Sequence, residues 1–161
     1  MRLTFGFAMS VVASAAFAEA PGVGTYFCRA EFAGGLAFSD KTKDWHGAVF
    51  SPPHTNFVLR LEDPGTTASG KRSADARRVT ITPEGASDLS ECLDVSKELM
   101  EMDRVELNDS ILRCMAMGGV QYQINIANNR FMKIYPFGYI NGEDINSDTP
   151  AITGGRCTKL K

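Results

Sequence analysis

The sequence predicts a mainly β protein: a small antiparallel barrel or sandwich of seven to eight strands with one helix, stabilised by disulfides. Three observations point there. First, Val120, Tyr122, Ile124 and Ile126 alternate with Gln121, Gln123 and Asn125, the period of two that gives a strand one buried face and one wetter face. Second, Asn128-Asn129 tolerates the positive φ of a tight hairpin turn, and residues 130–135 supply a return strand. Third, the four cysteines Cys28, Cys92, Cys114 and Cys157 are even in number and contain no C-x-x-C pair, which reads as two disulfides rather than a metal site.

Residues 1–18 (MRLTFGFAMSVVASAAFA) read as a secretory signal. Arg2 is the positive region, the apolar stretch is too short to span a bilayer, and Ala16-Phe17-Ala18 is the small-x-small pattern that precedes cleavage before Glu19. No membrane span is expected after cleavage. Residues 19–161 then form a single β-rich domain, periplasmic or secreted. The full chain of 161 residues has 17 basic and 19 acidic side chains, and loss of Arg2 makes the remainder slightly more acidic. With no basic stripe and no recognition motif, nucleic acid is not an expected partner.

In chain order, residues 26–32 open the first strand, Gly34-Gly35 break or bulge it, and 36–38 follow. A charged turn over 39–44 leads to a strand over 45–50, and Pro52-Pro53 interrupt it before a strand over 57–62. The polar, Gly/Ser-rich stretch 63–77 reads as a loop, and 78–82 as a short strand. Asp88 with Glu91 fits a capping box, and Leu89, Cys92, Leu93, Leu99 and Met100 recur at helical spacing, so the helix is expected over 88–104. Strands follow over 111–115, in the central hairpin, over 138–140 and over 151–159.

Within that hairpin an even loop would place Ile126 opposite Phe131, Ile124 opposite Lys133 and Tyr122 opposite Tyr135. Both faces carry apolar residues, as in a curled sheet or closed barrel. Pro136 should end the strand. Of the three possible cysteine pairings, Cys28–Cys157 with Cys92–Cys114 is favoured, because it joins the first and last strands and staples the middle.

Two stretches together carry a resemblance. One is Y-F-C-R-A-E-F-A-G-G-L-A-F-S-D…D-W…F…F-V-L-R-L, from Tyr26 to Leu61. The other is R-F-M-K-I-Y-P-F-G-Y-I…N-S-D-T-P-A-I-T-G-G-R-C, from Arg130 to Cys157. The chain resembles a group of small exported proteins of unknown function from Gram-negative bacteria. Arg130, Phe131, Gly138, Tyr139, Asp148, Thr149, Pro150 and Cys157 match that group's ending. The interval from Cys92 to Cys114 looks longer here. The resemblance implies an exported location and a style of fold, and no activity.

Candidate chemistry is sparse. His46 beside Trp45 could form a ligand-binding corner, Tyr122 and Tyr139 are further possible binding residues, and His54 sits in a Pro-rich turn. Asp144, Asn146 and Asp148 have the alternate spacing that begins a calcium loop, yet position six is Thr149 and position twelve is Gly155, so a turn is the better reading and no metal or other cofactor is expected. Glu84, Asp94, Asp144 and Asp148 are scattered carboxylates, with no G-x-S-x-G and no H-E-x-x-H. The aromatics either fill a small barrel or line a cavity, and filling is favoured.

The expectation is therefore an exported, non-enzymatic binding or envelope-associated module whose partner is a protein or envelope component. Two alternatives stand beside it. Gly118-Gly119-Val120-Gln121-Tyr122 is similar to the small-Gly-x-x-Tyr turn of small periplasmic β-barrel lysozyme inhibitors, and the aromatic interior would also suit a carrier of a small apolar ligand.

Overall fold

Strand β1 (Gly24–Ser39) organises the molecule, because it is long enough to pair with three others. The computed structural model describes residues 22–51, 56–65, 75–97, 102–142 and 144–161. The expected signal sequence, His54, Leu99 and Met100 lie outside them. After β1 come β2 (Asp44–Phe50), β3 (Phe57–Glu62), β4 (Ala76–Pro83), β5 (Ser90–Leu93), β6 (Val105–Glu106), β7 (Ile111–Ala116), β8 (Val120–Asn125), β9 (Arg130–Tyr135) and β10 (Ala151–Lys159).

Eight of these strands close an antiparallel barrel in the order β1-β3-β4-β5-β7-β8-β9-β10, with β10 returning to β1. Closure removes the edges of these eight strands, while β2, paired only with β1 among the described residues, keeps one open. β6 adds a short pairing to β4. The C-terminal half of β1 runs on past its pairing with β3 and forms a hairpin with β2, Ala33 opposite Phe50 through Ser39 opposite Asp44.

The inside is built by alternation. On β3, Phe57, Leu59 and Leu61 are buried while Arg60 and Glu62 face out, and Val79 and Ile81 of β4 meet them from the next strand. Phe57 sits at the centre, its ring edge-on to Tyr122 at 5.5 Å and to Phe131 at 4.8 Å. These rings form one continuous core cluster with Tyr26, Leu112, Ile124 and Val105. Burying such side chains contributes about 1.5–3 kcal/mol each. Lys133 also points inward from β9, and burial pushes its ammonium below the usual lysine range.

Both favoured disulfides are present. Cys28 and Cys157 are paired residues of β1 and β10, with Cα atoms 3.9 Å apart, and they staple the seam where the barrel closes. Cys92 of β5 bonds Cys114 of β7 at a Cα separation of 5.3 Å. In the loop-entropy view the short loop is worth about 3 kcal/mol and the long one nearer 5.

Four expectations need correction. No α-helix exists among the described residues. The stretch expected to be helical contains β5, where Cys92 is buried and Glu91 is exposed, and Leu89 just before it remains 60% exposed. Pairing with β4 and the bond to Cys114 hold this segment extended, and they override the helical spacing.

Gly34-Gly35 do not break β1. The irregularity falls between Ala30 and Phe32, so Glu31 is the bulged residue.

The central hairpin turns earlier than an even two-residue loop implies. Ile124 faces Phe131, Tyr122 faces Lys133 and Asn125 faces Arg130, a shift of two residues that keeps every side chain on its expected face. Ile126 leaves the ladder because its N–H donates to Ser110 O at 2.9 Å, and Asn129 takes the positive φ of 54°.

Finally, residues 138–140 are no strand. Tyr139–Asn141 form a single 3₁₀ turn between two left-handed glycines, Gly138 and Gly142.

Candidate functional site

The β1–β2 hairpin stands beyond the barrel and presents a rim of aromatic side chains. Phe38 and Trp45 face each other near the hairpin's end, so their side chains share one face. Their ring centroids lie 5.6 Å apart, and Phe38 is buried beneath the pair. Tyr139 meets Trp45 edge-on at 5.7 Å from the loop between β9 and β10. Geometry of this kind adds about 0.5–1.5 kcal/mol per pair beyond area burial.

Polar side chains hold that loop against the hairpin. The Asn146 amide accepts from Phe38 N–H at 2.8 Å and donates to Phe38 O at 2.6 Å, so one side chain acts as the missing neighbouring strand. The Trp45 indole N–H donates to Asp144 Oδ1 at 2.8 Å. The Tyr135 hydroxyl donates to Asp148 Oδ1 by a short contact. Thr149 Oγ1 donates to Asn146 O at 3.0 Å, and Leu36 N–H donates to Pro150 O at 3.1 Å.

Gly138 makes the turn possible. Its φ of 90° is a left-handed value that side chains avoid, and a Cβ there would collide with the Asp148 carbonyl oxygen. With the loop held in this way, Tyr139 (53%), Ile140 (75%) and Ile145 (47%) remain exposed. Side chains of this type, exposed on a fixed loop, are suited to contact with a partner and have no obvious role in proton transfer.

The structure brings two of the sequence candidates together and separates the others. Trp45 and Tyr139 touch. His46 is exposed on β2 and projects from the opposite face to Trp45, paired with Ala37. Tyr122 lies in the core against Phe57, where burial pushes its hydroxyl up to about 12. Asp144, Asn146 and Asp148 direct their oxygens to three separate protein donors, so the alternate spacing that resembles a calcium loop serves as a clasp.

The scattered carboxylates are likewise apart. Glu84 accepts from Asn56 at 2.8 Å and Asp94 from Ser96 at 2.6 Å. Ile140 and Ile145 belong to the rim without any signal in the sequence, and Phe38 is expected only as one of the aromatics that fill the barrel or line a cavity. Phe38 carries a period-two signal, but nothing in the sequence shows that residues 108 positions apart meet, as Phe38 and Asn146 do. On the barrel wall, Leu89, Leu93, Val95, Met115 and Met117 line a surface groove of about 670 Å³. Comparison of the chain with protein-family models, with curated proteins and with solved structures finds no match in any of the three.

Proposed function

We propose that this chain is an exported, non-enzymatic binding module that holds a protein or envelope component at its aromatic rim. The observation that carries the reading is the pinned loop: three side chains fix residues 144–148 to the hairpin and to β9, Tyr139 packs on Trp45, and Tyr139, Ile140 and Ile145 stay exposed on that loop. Preorganisation lowers the entropy lost on association, so a fixed apolar rim favours binding more than a floppy one would.

Two disulfides fit an oxidising compartment, extracellular or periplasmic, which agrees with export. The rings packed through the interior favour a filled barrel over a ligand carrier. The carboxylates bonded to separate structural donors favour binding over catalysis.

A photo-reactive amino acid at position 140 tests the reading in cells of origin. The expected result is one discrete cross-linked partner, absent when the same probe replaces the exposed Thr158. Cross-linking equal at both positions, or none at 140, overturns it.

A further inference from the structure

The wall formed by β1, β10 and β9 carries an unusual row. Arg29 of β1 is paired with Arg156 of β10, and Arg156 is paired with Arg130 of β9. Three guanidinium groups therefore project from adjacent strands on the outer face. Like charges placed directly opposite destabilise a sheet, so this arrangement works against folding. One carboxylate offsets it. The bulge puts Glu31 4.0 Å from Arg29 and 3.6 Å from Arg156, both pairs exposed. Arg130 has no ion pair among the described residues. Arg29 and Arg156 keep 72% and 66% of their side-chain surface open, on a chain whose formal net charge is −2.

Moving along the same face, the next positions are apolar. Phe32 is paired with Gly154, which is paired with Met132, and Gly34 is paired with Ile152, which is paired with Ile134. The end of the Phe32 ring reaches over Gly154, where any Cβ would strike it. Val49 of β2 is opposite Gly34 and extends the strip. Phe32 (61%), Val49 (94%), Ile152 (46%) and Met132 (38%) are exposed, and beyond them a hollow of about 320 Å³ is lined by Leu36, Ile134, Pro136, Pro150 and Ile152. The strip runs roughly 13 Å along β10, from Arg156 to Ile152.

We propose that this face docks on an anionic phospholipid bilayer, with Arg29, Arg130 and Arg156 on the phosphates and Phe32, Val49, Met132 and Ile152 in the interface. Charge complementarity selects this occupant. Guanidinium forks match phosphate oxygens, and apolar and aromatic side chains beside basic ones form the usual pattern of interfacial binding. A folded protein partner of matching shape would need several carboxylates opposite the row and a flat apolar patch beyond it, whereas a bilayer supplies both properties everywhere. By strand alternation this strip continues through Leu36 to Phe38 and Trp45, so it shares a side of the β1–β2 hairpin with the rim. The arginine row lies at its far end, so replacing those arginines tests the inference without touching the rim.

Flotation of the disulfide-bonded protein with vesicles tests it. Binding is expected to vesicles of phosphatidylcholine with about one third phosphatidylglycerol, not to pure phosphatidylcholine, and should weaken strongly at high salt, since surface charge is screened within a Debye length. Each basic side chain near such a surface should change the partition coefficient about fivefold. R130Q with R156Q should therefore weaken binding about 25-fold, and E31Q should strengthen it. K41Q, which removes a charge in the distant β1–β2 turn, should leave it unchanged.

All these side chains are exposed, and an unchanged thermal midpoint confirms that a variant is folded. Equal binding to neutral vesicles, no loss in the double arginine variant, or displacement by inorganic phosphate at fixed ionic strength would each overturn the proposal, the last in favour of a discrete phosphate site.

Discussion

Asn146 holds Phe38 by both of its backbone groups, N–H to Oδ1 at 2.8 Å and Nδ2 to O at 2.6 Å, across 108 residues of sequence. Removing that side chain leaves a buried residue with an unmet donor and acceptor. N146A should cost about 1–3 kcal/mol. It should also raise amide exchange at Phe38 and alter the fluorescence of the single tryptophan, Trp45. Unchanged exchange at Phe38 would mean the clasp is not what fixes the rim.

The seam disulfide makes the second prediction. Cys28–Cys157 closes a loop of 129 residues of sequence separation at the site where the barrel itself closes. Replacing both cysteines by serine should cost about 4–5 kcal/mol. For a chain of this size that lowers the thermal midpoint by roughly 10 °C or more. Cys92–Cys114, with a separation of 22, should cost less when removed. Differential scanning calorimetry of the two double variants tests the order, and a larger loss from the shorter loop would contradict it.

Phe57 is the ring on which the interior packs, in contact with both Tyr122 and Phe131 and 2% exposed. F57A should destabilise by about 3–5 kcal/mol. Chemical denaturation should show a lower midpoint with little change in slope, whereas a loss under 1 kcal/mol would point to a loosely filled interior.

Alkaline behaviour follows from Tyr122. Burial raises its hydroxyl to about 12, from about 10 in an unfolded chain. Between those values the unfolded chain has lost the proton while the folded one keeps it, so unfolding releases a proton and stability falls as pH rises. Below pH 10 the contribution is complete. Y122F should flatten the stability profile between about pH 10 and 12, measured by denaturant titration at fixed pH. An unaltered slope in that variant would assign the alkaline loss to another group.

The strands are legible in the sequence wherever one face is buried, because alternation at Phe57, Leu59 and Leu61 or at Tyr122 and Ile124 can hardly mean anything else. The segment around Cys92 is not, since Leu89, Cys92 and Leu93 fit either period and only pairing with β4 and the bond to Cys114 decide between them. The hairpin register escapes for a related reason. A shift of two residues keeps every face intact, so hydrophobic pattern cannot detect it, and a distant acceptor on Ser110 settles it. Of the aromatic and histidine candidates, Trp45 and Tyr139 touch, whereas Tyr122 is buried in the core and His46 projects from the other face of β2. An aromatic side chain serves core and surface equally well, and a single sequence does not say which strand face a neighbour will cover.

Since β1 is one unbroken backbone from the seam to the hairpin tip, a pull on the tip is transmitted lengthwise. Its hydrogen bonds to β10 then share the load side by side instead of opening one after another, and the cystine at Cys28 lies behind them as a covalent stop. A tether fastened to the tip would therefore load this ladder in shear, with the disulfide in line.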